Sequence, residues 1–116
     1  MYGLAAFLLS ASLLTSVPMV AGCSSQQYDP NYWHQNFIVG LQNNVGKKFW
    51  SVRKGETGGW AFDRNLIDRT DLPNGHIAYK YRGQGTCRHT FEVDPKTDVI
   101  VVASWEGEAR HCAIVP

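Results

Sequence analysis

Cys87 and His89 stand two residues apart in "CRH", so a strand through them points a thiol and an imidazole to the same side. That is the pairing a Cys–His nucleophile would use. An exported chain oxidises such a thiol, however, and His89 is then expected as a hydrogen-bonded core histidine. The remaining chemistry-bearing residues do not converge. Asp94, Asp98, Glu106 and Glu108 fall in turn-like sequence and read as solvated charges. "GETGG" at 55 to 59 is glycine-rich, but no Lys-Ser/Thr pair or helix start follows it, so it is not a phosphate loop. The four histidines (His34, His76, His89, His111) are scattered, with no CxxC or HxxxH spacing. No catalytic residue, metal site or cofactor is therefore expected, and the chain reads as a non-enzyme.

The elements that position these residues begin with a segment of different composition. Residues 1 to 28 carry no charge, and Gly3 to Val17 form an apolar run of signal-peptide length. The run is too short and too rich in Ser, Thr and Ala for a membrane span, which needs about 20 apolar residues. Pro18 breaks it, and small residues precede Cys23. Val20-Ala21-Gly22-Cys23 resembles the bacterial lipobox. In that motif the thiol receives a diacylglycerol and the leader is cut just before it, so the resemblance makes Cys23 the lipidation site. At about 0.8 kcal/mol per buried methylene, two or three acyl chains hold a protein at a bilayer almost permanently. Ser24 in place of aspartate implies, by the same resemblance, the outer membrane of a Gram-negative cell. The expected division is a signal peptide over 1–22, a lipidated tether over 23–30 and one small domain over 31–116.

Export leaves Cys87 and Cys112 as an even pair in an oxidising compartment, and a disulfide is the expected outcome. Its contribution is roughly 3.5 kcal/mol in the chain-entropy model.

Asp29-Pro30 reads as a helix cap followed by proline at the first helical position. Trp33, Phe37, Leu41 and Val45 recur every four residues beside Ile38, predicting an amphipathic helix over 31 to 45 that ends at Gly46. Residues 47 to 71 show no sustained period. Beyond the turn "LPNG", "IAYKYR", "TCRHTFEV" and "DVIVVASW" alternate or carry β-branched runs, predicting three antiparallel strands. A four-residue loop at "DPKT" would set Val93 opposite Asp98, Phe91 opposite Ile100 and Cys87 opposite Ser104. That register places Cys87, Phe91, Val93, Ile100 and Val102 on the core face with Ile77, Tyr79 and Tyr81. A further strand over 109–115 would leave Cys112 two strands from Cys87, about 9–10 Å away and beyond disulfide reach. The C-terminal segment must therefore curl back, pinned by the bridge. The predicted fold is α+β: one N-terminal amphipathic helix packed on a three-stranded antiparallel meander.

The surface residues say less. The net charge of +1 exerts no pull toward nucleic acid. Lys47, Lys48, Arg53 and Lys54 form the only basic cluster, a solvated loop that reaches anionic headgroups only if it lies near the tether. Trp33 and Trp105 are expected in the core, whereas Trp50 and Trp60 fall in the aperiodic segment and are candidates for an exposed interaction patch.

The helix ending in "VG", then "LPNGHIAYKYR", "CRHTFEVDPKTDVI", "EG" and a final cysteine together resemble the small Gram-negative lipoproteins of the SmpA/OmlA type, over roughly residues 35 to 112. That group includes the small lipoprotein subunit of the β-barrel assembly machinery. The resemblance implies helices on a three-stranded antiparallel sheet and an outer-membrane location; it assigns no functional residue. The expected function is a non-enzymatic, membrane-anchored periplasmic lipoprotein that contacts a periplasmic or outer-membrane protein as a scaffold or interaction module. The alternative class is an inhibitor or immunity-type binder of an enzyme such as a lysozyme or toxin.

Overall fold

The computed structural model describes residues 29–115, so the expected leader, Cys23 and most of the expected tether lie outside the described residues. The chain folds as α+β, with one main helix and a four-stranded antiparallel sheet in the order β1-β2-β3-β4. Helix α1 spans Pro30–Gln42 and a short α2 spans Phe49–Arg53. The strands are β1 Leu66–Asp71, β2 Ile77–Arg82, β3 Arg88–Asp94 and β4 Val99–Glu106.

Helix α1 starts where its capping residues place it. Asp29 accepts from the Asn31 N–H at 2.9 Å, and Pro30 occupies a first-turn position that has no N–H to satisfy. Phe37 and Leu41 are buried, with Ile38 packed beside them. The helix ends at Gln42, three residues short of the expected 45, because the next residues bond elsewhere. The buried Asn44 side chain donates to the carbonyls of Gly40 (3.0 Å) and Leu41 (3.2 Å), satisfying the last turn from outside the helix. Gly46 and Lys47 then exchange backbone hydrogen bonds with Ile100, and Gln42 donates to the Ala103 carbonyl. The early stop thus covers the β4 edge, which would otherwise present a row of unpaired backbone groups.

The sheet corrects the three-stranded expectation. The extra strand, β1, pairs with β2 from Asp71↔Ile77 to Leu66↔Tyr81, and all six of its residues are exposed. "LIDRTD" therefore has no face to bury and shows no apolar alternation. The β3–β4 register also differs. The Asp94–Val99 turn closes with the Asp98 N–H on the Asp94 carbonyl, and a bulge follows between Glu92 and Val93. Val93 pairs with Ile100 and Phe91 with Ala103, while Thr90, not Cys87, faces Ser104. Because side-chain direction has period 2, the one-residue irregularity turns Val102 outward (47% exposed) and brings Ala103 into the core instead. Cys87, Tyr81, Phe91, Val93 and Ile100 stay buried on the core face, where α1 and α2 cover them.

Cys87 and Cys112 form the disulfide, with Cα atoms 5.2 Å apart. Residues 109–112 turn back without forming a strand. The segment is fixed to α1 as well: His34 Nδ1 donates to the Cys112 carbonyl at 2.7 Å, and the Ile114 N–H donates to the Trp33 carbonyl at 3.0 Å. Gly107 makes this return feasible. Its φ of 113° is left-handed, and a Cβ there would sit 2.3 Å from the Thr86 carbonyl oxygen.

Candidate functional site

Folding brings five separated segments around one cleft of about 580 Å³ at the β2–β3 hairpin end of the sheet. Phe37 of α1, Trp60, Ala113 and Ile114 supply apolar lining, and Cys87 adds one half of the disulfide. Arg82, Gln84, Asn65 and His111 supply the polar groups. A mainly apolar concavity of this size with a few placed donors is what small-ligand sites have in common.

The Trp60 ring is the centre of this arrangement. It packs 5.4 Å from Phe37 and edge-on to His89 at 5.5 Å. It lies so close to α1 that a Cβ on Gly40 would be 2.9 Å from its Cζ2 atom; only glycine at that helical position admits the ring. The Trp60 carbonyl accepts from His89 Nε2 at 2.5 Å, which fixes the imidazole proton on Nε2. Tyr81 stacks on the other side of the imidazole with centroids 5.4 Å apart. Burial depresses the His89 pKa, and the Trp60 carbonyl only partly offsets this by favouring the charged form.

Stability should respond to pH accordingly. With a folded-state pKa below the unfolded value of about 6.5 for histidine, the unfolded chain takes up a proton first as pH falls. The His89 contribution is whole above that value and is lost as pH drops through and below it. Glu92 acts in the same direction at lower pH: hydrogen bonds from His76 and then Asn74 hold its carboxyl below the usual range. The urea midpoint is expected to fall in two stages on acidification. His89→Gln retains an N–H for the Trp60 carbonyl and should abolish the upper stage alone; an unchanged upper stage would refute the His89 assignment.

His111 is oriented as firmly. The Thr86 N–H donates to His111 Nδ1 at 2.9 Å. The Thr86 hydroxyl accepts from the Glu108 N–H at 2.9 Å and directs its own hydrogen to the same Nδ1 at 2.8 Å. With Nδ1 accepting, the ring proton resides on Nε2.

A second surface is built around Trp50. Phe49 and Val52 of α2 are buried, which leaves Trp50 outward at 54% exposure. Asp98, at φ 60° in the β3–β4 turn, fixes the start of α2: its carbonyl accepts from the Phe49 N–H and its carboxylate from the Trp50 N–H. Lys54 Nζ lies 3.8 Å from the Trp50 ring centroid, a cation–π contact. Of the basic cluster, Arg53 pairs with Asp63 at 3.1 Å and Lys48 donates to the Thr97 carbonyl.

Trp50 and Trp60 thus have different neighbours: the first is exposed beside Lys54, the second half-buried in the cleft. Trp105 packs against the core and edge-on to His34, and Trp33 is half-buried. Cys87 and His89 are both buried on the core face, with the thiol consumed by the bridge. Cys23 lies outside the described residues. Arg82 and His111 went unnoticed as site residues because 28 positions separate them in "YRGQG" and "RHC" (82 to 111). The signal that could have found them was the disulfide: Cys112 beside Cys87 obliges His111 and Ala113 to approach the 83–86 turn.

No protein-family model, curated protein or solved structure matches the chain. Among the described residues no group of three His, Cys, Asp or Glu side chains could hold a metal, and no helix is long and apolar enough to cross a membrane.

Proposed function

We propose that this chain is a non-enzymatic lipoprotein of the cell envelope, anchored by acyl chains on Cys23 at the periplasmic face of the outer membrane. Its folded part is a contact module for another envelope protein. The observation that carries this reading is the outward, preorganised Trp50 ring, with its backbone held by Asp98 and its face capped by Lys54. Exposed aromatics fixed beside cations are the usual centres of binding energy at protein interfaces, because little ordering cost remains at association. Its position suits a tethered module. Trp50 follows the C-terminal end of α1, and 13 helical residues span about 20 Å from the end where the tether enters. The lipobox-like Val20–Cys23 string, and the likeness to SmpA/OmlA-type lipoproteins, support the membrane side of the reading.

A photo-crosslinking residue at position 50, in the lipidated protein in its own envelope, should give a discrete adduct absent when the probe is moved to the exposed turn position Lys96. In the wild-type background, Trp50→Ala should weaken retention of that same partner on the order of 30-fold, the effect of losing an interface hot spot. Identical adduct patterns from positions 50 and 96 would contradict the proposal.

A further inference from the structure

The cleft around Trp60 is a separate feature from the Trp50 surface, and its charge is one-sided. No Asp or Glu lines it, and Arg82 at its rim makes no ion pair among the described residues. The other arginine of this hairpin, Arg88, is committed to the carbonyls of Gly85 and Cys87. The nearby acids are also engaged: Glu106 with Lys80 at 2.6 Å, and Glu108 with Arg110 at 3.1 Å and with His111 Nδ1 at 3.5 Å. His111 adds an N–H donor at Nε2, because the Thr86 N–H already occupies its Nδ1. Below these donors the lining is Trp60, Phe37 and Ile114. Apolar walls under one uncompensated cation and one fixed N–H donor complement an amphiphile with a single anionic end.

We propose that this cleft binds a small apolar carboxylate, with the carboxylate on Arg82 and His111 Nε2 and the apolar body against Trp60 and Phe37. The site exists whether or not Trp50 contacts a partner, so the two readings fail independently. The disulfide is part of the wall through Cys87, and it holds His111 and Ile114 in place through Cys112.

The test uses the purified Cys23→Ser chain, which carries no acyl group of its own, titrated with octanoate, octanamide and octylammonium. The Trp60 indole N–H resonance, assigned by its loss in Trp60→Phe, reports occupancy. Octanoate should shift it with at least about tenfold higher affinity than octylammonium, since a hydrogen bond to a charged group is stronger than one between neutral groups. Arg82→Gln, an exposed strand-end change, should cost octanoate about tenfold and leave octanamide unchanged. Equal affinity for the three probes, no shift at Trp60, or an Arg82→Gln variant that binds octanoate normally would each overturn the assignment. A short peptide with a free leucine C-terminus that binds more tightly than octanoate would replace the small molecule with a protein tail.

Discussion

Phe91→Ala is expected to lower the stability of the domain by about 3–5 kcal/mol, the range for truncating a fully buried phenylalanine. Phe91 has no exposed surface and sits mid-sheet, paired with Tyr79 on one side and Ala103 on the other. Its ring meets those of Tyr81 at 6.2 Å and His89 at 5.3 Å. The alanine variant loses this contact area and leaves a hole between strands that hydrogen bonding keeps in place, so little relaxation can fill it. Against a total of about 5–15 kcal/mol for a small domain, that loss is severe. The thermal midpoint should fall by about 12–40 °C, at about 4–8 °C per kcal/mol for a domain of this size. The urea midpoint should fall with an unchanged slope. A loss below about 1 kcal/mol would mean that Phe91 is not the centre of the core.

Removing the disulfide should have a comparable effect by a different route. The bridge closes a 25-residue separation, and in the chain-entropy model its loss costs about 3.5 kcal/mol through the unfolded state. Cys87→Ser combined with Cys112→Ser, or reduction of the native chain, should reveal a second, local consequence. The segment from Cys112 is then held to α1 through the His34–Cys112 and Ile114–Trp33 hydrogen bonds. These are isolated contacts outside the sheet, where local opening is least costly. The Ile114 amide should therefore exchange faster by more than the global destabilisation explains. Equal midpoints for oxidised and reduced protein would show that the bridge is not structural.

Parts of this architecture were legible in sequence for definite reasons. The i, i+4 stripe from Trp33 to Leu41 marks the helix because one face must be dry, and Asp29-Pro30 marks its start. The Cys87–Cys112 bridge followed from compartment and parity. The helix end did not follow, since Val45 continues the apolar period while Asn44, Gly46 and Lys47 bond to residues far along the chain. Strand β1 was hidden because an edge strand exposed throughout leaves no alternation to read. The β4 face was misassigned at Val102 because a bulge costs one residue of register and leaves no mark in a run of β-branched residues. The cleft is assembled from residues 37, 58–60, 65, 82–89 and 111–114, so its charge asymmetry has no local signature.

Under the proposed function, an acylated Cys23 holds a disulfide-bridged domain outside the cytosol. Intact-mass measurement of the native protein from its own membranes, before and after reduction, tests this most directly. The predicted result is a chain that begins at Cys23, carries the mass of its acyl groups there, and gains two hydrogen atoms on reduction. A chain that retains residues 1–22, with three free thiols and no added lipid mass, would contradict it.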